Sequence, residues 1–152
     1  MNTRIRLANF SDYQQVLKIL NQVHDLHVKL RPDIYRNTNK LMNKEIFKEK
    51  IESNCYYVAE IDGVVVGILD LIFKNIDSPA HNKRKIILID VIGVDINYQN
   101  LGIGKKLLDK AKLLKDKYKY DSIELNVNSA NLRAYSMYKK YGFKEKSIIL
   151  EL

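Results

Sequence analysis

The stretch that decides the fold of this 152-residue chain is Arg84–Tyr118, RKIILIDVIGVDINYQNLGIGKKLLDKAKLLKDKY. Its first part, Ile86–Val94, is a nearly continuous apolar run rich in β-branched residues, which predicts an interior strand covered on both faces. Its last part, from about Gly102 to Tyr118, predicts an amphipathic helix, because apolar residues recur there at helical spacing among lysines. The stretch therefore predicts a buried strand, a short turn with two close glycines, and a helix.

The turn itself, QNLGIG at residues 99–104, predicts an anion-binding site. The first turn of a helix carries backbone N–H groups that have no partner within the helix, and glycines there let a ligand approach the backbone closely. The helix dipole, Lys105 and Lys106 all favour negative charge at this place. We predict that the turn binds a phosphate or a pyrophosphate.

Two common phosphate-binding motifs do not fit this turn. A Walker loop needs glycine at position 99 and Lys-Ser/Thr after the last glycine, but the chain has Gln99 and Lys105-Lys106. A dinucleotide-binding fingerprint needs a third glycine at position 107, which is Leu107. A third pattern, Gln/Arg-x-x-Gly-x-Gly/Ala after a hydrophobic strand, matches in full. The alternative interpretation is an ordinary strand–turn–helix whose glycines serve tight packing.

The third pattern resembles the acetyl-CoA pyrophosphate loop of the GNAT superfamily of N-acetyltransferases. A second stretch also resembles this superfamily: Asn131 is followed by Ala134, by Tyr138 four residues later, and by Gly142-Phe143. Two signatures in the right order and at the right spacing are more specific than either alone. The resemblance covers nearly the whole chain and is strongest over residues 86–143.

The remaining sequence predicts the element order of the same fold. The predicted elements are a strand Thr3–Leu7, a helix opened by a Ser11–Gln14 capping box and ending near Leu30, a helix Asn43–Ser53, strands Cys55–Ile61 and Val64–Lys74 joined by an Asp62-Gly63 turn, a polar loop 75–84, the central strand and helix, a strand Asp121–Val127, a helix Leu132–Tyr141 capped by Gly142, and a strand Phe143–Leu152. We expect one α/β (α+β) domain over residues 1–152, with a mixed six- to seven-stranded sheet flanked by four helices. The family usually ends in a seventh strand, which we expect to be short, absent or supplied by a partner subunit in a homodimer.

Composition narrows the functional classes. The formal net charge is +8, from 26 Lys and Arg against 18 Asp and Glu, but the basic residues are spread along the chain, which indicates a solvated lysine-rich surface more than a nucleic-acid site. No apolar run is long enough to span a membrane. Cys55 is the only cysteine, so an internal disulfide is excluded and no metal cluster is indicated. We expect a cytoplasmic protein that uses no metal.

The resemblance implies a set of cofactor-binding residues. It implies that the pantetheine arm of acetyl-CoA bonds to the fourth strand, that the glycine turn holds the pyrophosphate, and that Asn131 binds the arm near its sulfur. The residues concerned are Ile92, Gly93 and Val94 on the strand, and Gln99, Asn100, Leu101, Gly102, Ile103, Gly104 and Lys105 in the turn. Gly93 inside a strand also marks either a bulge or a close approach on its own terms.

The resemblance also implies a general acid. When an amine attacks the thioester, the sulfur leaves as a thiolate and needs a proton. The phenol of Tyr138, with an ordinary pKa of about 10, is protonated at neutral pH and can donate one. The alternative is that Tyr138 is only a core aromatic of an amphipathic helix.

The general base is left open by the sequence. Asp90 and Glu124 are carboxylates in predicted strands, and either could accept the amine proton directly or through water, or serve as a paired structural charge. Some amino-terminal acetyltransferases of the superfamily carry a glutamate five residues before the asparagine. That position is Asn126 here, which weakens a direct transfer of their substrate and their base.

The resemblance implies that the acceptor-binding residues lie between the first two helices and in the loop between the third and fourth strands. This nominates Asp33, the 75–84 loop and four further residues: His24, His27, Arg31 and Tyr35. Three functions follow, and the first is preferred: transfer of acetyl from acetyl-CoA to a primary amine of a small molecule, peptide or protein in a ternary complex. The second is a non-catalytic acyl-CoA-binding or sensory module, and the third is a charge-driven nucleic-acid-binding protein.

Overall fold

A computed structural model describes residues 2–152 and shows one five-stranded sheet in the order β1-β2-β3-β4-β5. Neighbouring strands are antiparallel from β1 to β4, whereas β4 and β5 are parallel. The strands are β1 Thr3–Leu7, β2 Tyr56–Ile61, β3 Val64–Ser78, β4 His81–Val94 and β5 Ser122–Leu125. The parallel β4–β5 pair needs a crossover connection, and the helix predicted after Gly102 supplies it.

Four α-helices flank this sheet, two on each face. They are α1 Tyr13–Leu30, α2 Lys44–Glu52, α3 Ile103–Tyr118 and α4 Leu132–Tyr141. We call the face covered by α1 and α2 the front face, where Val16, Ile19 and Phe47 pack on the sheet. The back face is covered by α3 and α4, whose apolar stripes pack on the other side of the same strands. The predicted fold class, a mixed sheet with four helices, is confirmed.

Several local predictions are confirmed because they rest on backbone chemistry. Asp62 and Gly63 both have positive φ, 50° and 80°, as a two-residue hairpin turn requires. Gly142 follows α4 with φ of 121° and donates its amide to the Tyr138 carbonyl at 3.2 Å, so it ends the helix. None of the helices in residues 2–152 combines the length and the apolar character needed to cross a bilayer.

The start of α1 differs from the predicted Ser11–Gln14 capping box. The Asn9 side chain accepts from the Ser11 amide at 3.0 Å, and the Asp12 carboxylate accepts from the Asn9 amide at 2.8 Å. The reciprocal cap therefore forms two residues earlier and closes a short 3-10 turn, Phe10–Asp12, before α1 begins. Asparagine is at least as good a cap as serine, and Asp12 is also held by Arg6 at 2.8 Å.

The predicted polar loop over residues 75–84 is wrong. β3 and β4 continue through it as a paired ribbon, with Ile76 opposite Arg84 and Ser78 opposite His81. Most residues of this ribbon are polar and exposed, so the sequence carries little hydrophobic signal there. Backbone hydrogen bonds between the two strands form this part of the fold, so the polar composition wrongly predicted a loop.

The predicted final strand over residues 143–152 is also wrong, and the described residues form neither a sixth nor a seventh strand. Ile148 and Leu150, whose alternation predicted the strand, are 76% and 88% exposed. Side-chain ion pairs hold this segment instead: Lys146 bonds Glu124 at 2.6 Å, and Glu151 bonds Arg31 at 2.6 Å. Alternation of apolar and polar residues predicts a strand only where the apolar face is buried, and the apolar side chains of Ile148 and Leu150 are exposed.

Gly93 fixes how closely α1 packs on β4. A Cβ built at this residue would lie 2.5 Å from Cγ2 of Val23 and 3.4 Å from Cγ2 of Ile19. Val23 is β-branched, so its methyl group cannot move aside by a simple rotation. The close approach predicted at Gly93 is therefore an approach of α1, while the bulge of β4 lies elsewhere.

We predict that Gly93→Ala lowers the free energy of unfolding by about 1–3 kcal/mol, because the new methyl group overpacks the α1–β4 contact. Urea denaturation of Gly93→Ala, Val23→Ala and the double variant measures the coupling. In the Val23→Ala background, the Gly93→Ala substitution should cost much less stability than it does in the wild-type protein, because the clashing methyl group of Val23 is gone. Wild-type stability in Gly93→Ala would contradict this packing argument.

Candidate active site

The sheet opens between β4 and β5. Only four residue pairs join these strands, and the last of them is Ile89 with Leu125. β4 then continues to Val94 while β5 has ended. The segment Asp90–Val94 therefore has β3 on one side and no strand on the other, which leaves an open edge inside the domain.

The backbone groups that face this edge can be assigned. The Asp95 amide donates to the Val66 carbonyl at 2.8 Å, which makes the Val94–Gly67 pair a non-hydrogen-bonded pair of the antiparallel ladder. By alternation Gly93 bonds to β3, whereas Ile92 and Val94 direct their N–H and C=O groups to the open edge. An extended amide chain could add to β4 there as a further strand.

A β-bulge marks the point where the edge begins. Asp70 of β3 pairs with Val91, but the next residue, Leu71, pairs with Ile89. Asp90 is therefore the extra residue, and it shares the position opposite Asp70 with Val91. Val91 packs in the front core, and the Asp90 side chain is exposed. The bulge thus presents a carboxylate at the last residue before the strands part.

A buried polar cluster lies beneath Asp90 on the front face. Asp70 is 2% exposed, and its Oδ2 accepts from Lys50 Nζ at 2.6 Å. Burial, and then the charges of Asp70 and Asp90, raise the pKa of Tyr56. The other Asp70 oxygen and the Tyr56 hydroxyl are buried with no hydrogen-bond partner in residues 2–152. With two carboxylates and one ammonium, the cluster is suited to attract a cationic amine.

Burial opposes the charge of Lys50, but the hydrogen bond and the charge of Asp70, and then the charge of Asp90, raise its pKa above the ordinary value. Burial raises the pKa of Asp70 in turn, and Lys50 partly offsets that effect. Neither Lys50 nor Asp70 was among the residues predicted from the sequence. Their only signal was an aspartate within an otherwise apolar strand run, VVVGILDLIF at residues 64–73.

The glycine turn forms an uncapped helix start. Asn100 and Gly102 have φ of 63° and 78°, both in the left-handed region, and α3 begins at the next residue. α2 and α4 have asparagine side chains on their first amides, whereas the cap of α3 is Gly102, which has none. A Cβ at Gly102 would meet no atom within 4 Å, so the space beside these amides is open. This arrangement suits an anionic ligand.

Arg133 connects this turn to α4. Its guanidinium donates to Gln99 Oε1 at 2.8 Å and to Asn100 Oδ1 at 2.9 Å. The two sequence signatures, QNLGIG and the stretch beginning at Asn131, therefore meet in space through Arg133. No local sequence pattern assigns Arg133 this role, because the contact joins residues 33 and 34 positions apart.

The other predicted turn residues serve packing or lie in solvent. Ile103 is buried in the back core, and Leu101 is exposed. Gly104 faces α4, since a Cβ there would lie 3.4 Å from Sδ of Met137. Lys105 is exposed, and its Nζ bonds Asp109 at 2.9 Å, so part of its charge is already balanced.

α4 brings two predicted residues to the back of the open edge. The Asn131 side chain caps α4 by accepting from the Ala134 amide at 3.3 Å, which leaves its own N–H₂ group available as a donor. Tyr138 is 9% exposed and packs edge-on against Phe143, with ring centroids 5.8 Å apart. Burial raises the pKa of Tyr138, so its phenol stays protonated well beyond neutral pH.

The four predicted acceptor residues form one cluster at the end of α1. The ring of Tyr35 lies 5.0 Å from that of His27 and 6.2 Å from that of His24. Arg31 forms a two-point ion pair with Asp33 and also contacts Glu151 at 2.6 Å. Burial, and then the charge of His24, lower the pKa of His27. No group of three or more potential metal ligands occurs within residues 2–152.

The path of α1 places this cluster near the open edge. Gln15 accepts from the Val65 amide at the start of β3, and two turns later Val23 packs at Gly93 of β4. α1 therefore crosses the sheet from β3 to β4, and its last turns continue toward the side where β4 has no neighbour.

The second carboxylate nominated as a base, Glu124, is already paired with Lys146 at 2.6 Å.

Comparison with known proteins agrees with this geometry. The profile of the Acetyltransferase (GNAT) family matches residues 20–143. An N-alpha-acetyltransferase from Sulfolobus acidocaldarius is 28% identical, with 98% of this chain and 84% of that protein covered. The L-amino acid N-acetyltransferase AaaT from Escherichia coli is 30% identical, with 92% of this chain and 82% of that protein covered.

A solved structure shows the same architecture. A mutant of the BH1408 protein from Bacillus halodurans superposes with a TM-score of 0.88 at 27% identity, and the superposition covers 98% of both chains. The family profile spans both the open edge of β4 and Tyr138, and the relatives are N-acetyltransferases. The chain belongs to the GNAT family of acetyltransferases and is an acetyl-CoA-dependent N-acetyltransferase.

Proposed function

We propose that this enzyme transfers acetyl from acetyl-CoA to the α-amino group of a peptide or protein by direct attack in a ternary complex. The observation that carries the proposal is the open edge of β4 next to the uncapped start of α3. A relative with 28% identity is named N-alpha-acetyltransferase, and a second, with 30% identity, acetylates L-amino acids. The first name specifies an α-amine, and the second specifies amino acids as acceptors.

The binding of acetyl-CoA divides among three parts of the chain. The N–H and C=O groups of Ile92 and Val94 would pair with the amides of the pantetheine arm, as a strand partner would. The amides that follow Gly102 would bind the pyrophosphate, with Lys105 and the helix dipole adding positive charge. Asn131 would donate from its free N–H₂ group near the sulfur. These residues fit the carrier, because no strand pairs with the edge and the space beside Gly102 is open.

The acceptor must approach from the front face, because α3 and α4 cover the back of the open edge. Asp90 is exposed there at the bulge, which makes it our preferred general base, acting directly or through water. Glu124 is a weaker candidate, because its carboxylate already accepts a hydrogen bond from Lys146. His24, His27, Arg31 and Tyr35 would line the approach of the acceptor.

The chemistry favours an α-amine over a lysine side chain. Deprotonating a lysine-like amine at pH 7 costs about 4–5 kcal/mol, whereas an α-amine with a pKa near 8 costs about 1 kcal/mol. The smaller cost of the second case leaves less for the carboxylate of Asp90 to do as a proton acceptor. The amine nitrogen bonds to the acetyl carbon, the carbon–sulfur bond breaks, Asp90 takes the amine proton, and Tyr138 gives its proton to the leaving thiolate.

Tyr138→Phe should lower kcat by about 100-fold, because the leaving thiolate loses its proton donor. Acetyl-CoA affinity, measured by calorimetry, should stay within about twofold, since the ring and its packing remain. Tyr141→Phe on the same helix is the matched control: its hydroxyl bonds Asp109 at 2.7 Å, and we assign it no catalytic role. Undiminished thiol release by Tyr138→Phe with its acceptor would remove Tyr138 from the mechanism.

Asp90→Asn should abolish the acidic limb of the pH profile of kcat, measured with both substrates saturating. Under those conditions kcat reports groups in the enzyme–substrate complex, and asparagine cannot accept the amine proton. Glu124→Gln serves as the control, and its profile should keep the limb. If Asp90→Asn retains the limb and Glu124→Gln loses it, the two assignments are reversed.

A further inference from the structure

A cavity of about 500 Å³ opens on the sheet near the proposed reaction centre. Its floor is apolar and its rim is mostly charged. The floor comprises Ile76, Ala80, Ile86 and Leu88, and the rim comprises Lys74, His81, Asn82, Arg84, Glu124 and Lys146. The cavity therefore lies between the end of the β3–β4 ribbon, β5 and the segment after α4.

The cavity is on the front face, the same face as Asp90. Ile87 and Ile89 pack in the back core with α3, so strand alternation turns Ile86 and Leu88 to the front. Lys74 pairs with Ile86, and Glu124 pairs with Leu88, so both share that face. Leu88 lies only two residues before Asp90 along β4. When the amine of an acceptor lies at Asp90, the rest of the acceptor can thus extend along β4 into this cavity.

The rim of the cavity carries unbalanced positive charge. Its one carboxylate, Glu124, is neutralised by Lys146 at 2.6 Å. Arg84 donates only to the Ser122 hydroxyl, at 3.2 Å, and neither Arg84 nor Lys74 has an ion-pair partner within residues 2–152. Lys74 and Arg84 therefore face an apolar floor and have no carboxylate partner within residues 2–152. The carboxylate of Asp90, which can attract an amine, lies further along β4 on the same face.

We infer that this cavity binds carboxylate side chains of the acceptor, so that the enzyme prefers peptides with acidic residues just after the N-terminal residue. The inference rests on the proposed function. Lys74 lies opposite Ile86, four strand residues or about 13 Å from Asp90, and Arg84 lies two residues further along β4, about 20 Å from Asp90. The long side chains of Lys74, Arg84 and a peptide glutamate together span a large part of these distances. The carboxylates recognised are those of residues two and three, because the α-carboxylate of a free amino acid is too close to its amine to reach Arg84.

The same charges disfavour cationic acceptors. A polyamine or a lysine-rich peptide with one amine at Asp90 would bring its further positive charges toward Lys74 and Arg84. Like charges in such proximity weaken binding, and salt screens the effect. The cavity therefore discriminates between acceptors by charge, while Asp90 and Tyr138 act on the amine that all of them share.

The experiment compares three peptides of equal length that begin Ser-Glu-Glu, Ser-Ala-Ala and Ser-Lys-Lys, with free aspartate as a small-molecule arm. For the wild-type enzyme, kcat/KM should fall in that peptide order, by about tenfold or more between the first and the last. The Lys74→Glu/Arg84→Glu variant should reverse the order of the Ser-Glu-Glu and Ser-Lys-Lys peptides. Lys112→Glu/Lys117→Glu, with the same charge change on α3, should keep the wild-type order.

Each remaining outcome decides a different point. Equal rates for the three peptides in the wild-type enzyme would overturn the inference and leave the α-amine function in place. Aspartate acetylated as well as Ser-Glu-Glu would overturn the peptide assignment. Acetylation of a small amine with no turnover of any peptide would contradict the proposed function, and the inference with it. Because the wild-type series alone is decisive, the test does not depend on the folding of any variant.

Discussion

The parting of β4 from β5 after the Ile89–Leu125 pair is the constraint on which the rest of the site depends. A strand in the middle of a sheet normally uses all its N–H and C=O groups, and an unpaired group costs free energy when it is buried. β4 instead runs five residues beyond its parallel partner, from Asp90 to Val94. The domain keeps a strand edge inside its own fold, and an extended amide ligand can complete it.

Other features of the chain support this opening. The bulge at Asp90 places one carboxylate where the strands separate, and α1 packs on Gly93 to hold the front of β4 in place. On the other side, Arg133 ties the glycine turn to α4, so the helix start and the helix bearing Tyr138 keep a fixed relation. The residues that we propose for binding and chemistry therefore come from two signatures that are distant in sequence and adjacent in space.

The sequence predicted what backbone chemistry and burial determine. The turn at Asp62-Gly63, the uncapped start of α3 and the bounds of α4 follow from glycine, capping and helical spacing. The predictions from the sequence failed where neither backbone chemistry nor burial determines the structure. The ribbon over residues 75–84 is held by ladder bonds without burial, and the exposed alternation at Ile148 and Leu150 has no face to pack on. The contact of Arg133 and the ion pair of Lys50 with Asp70 depend on tertiary proximity, which no local pattern reports.

The most direct measurement of the central claim is amide hydrogen exchange of β4, followed by NMR with and without saturating CoA. If the open edge accepts the pantetheine arm as a strand partner, the amides of Ile92 and Val94 exchange quickly in the free enzyme and slow at least tenfold with CoA. The Gly93 amide, which faces β3, should be protected in both states. Unchanged exchange at Ile92 and Val94 with CoA bound would contradict the account.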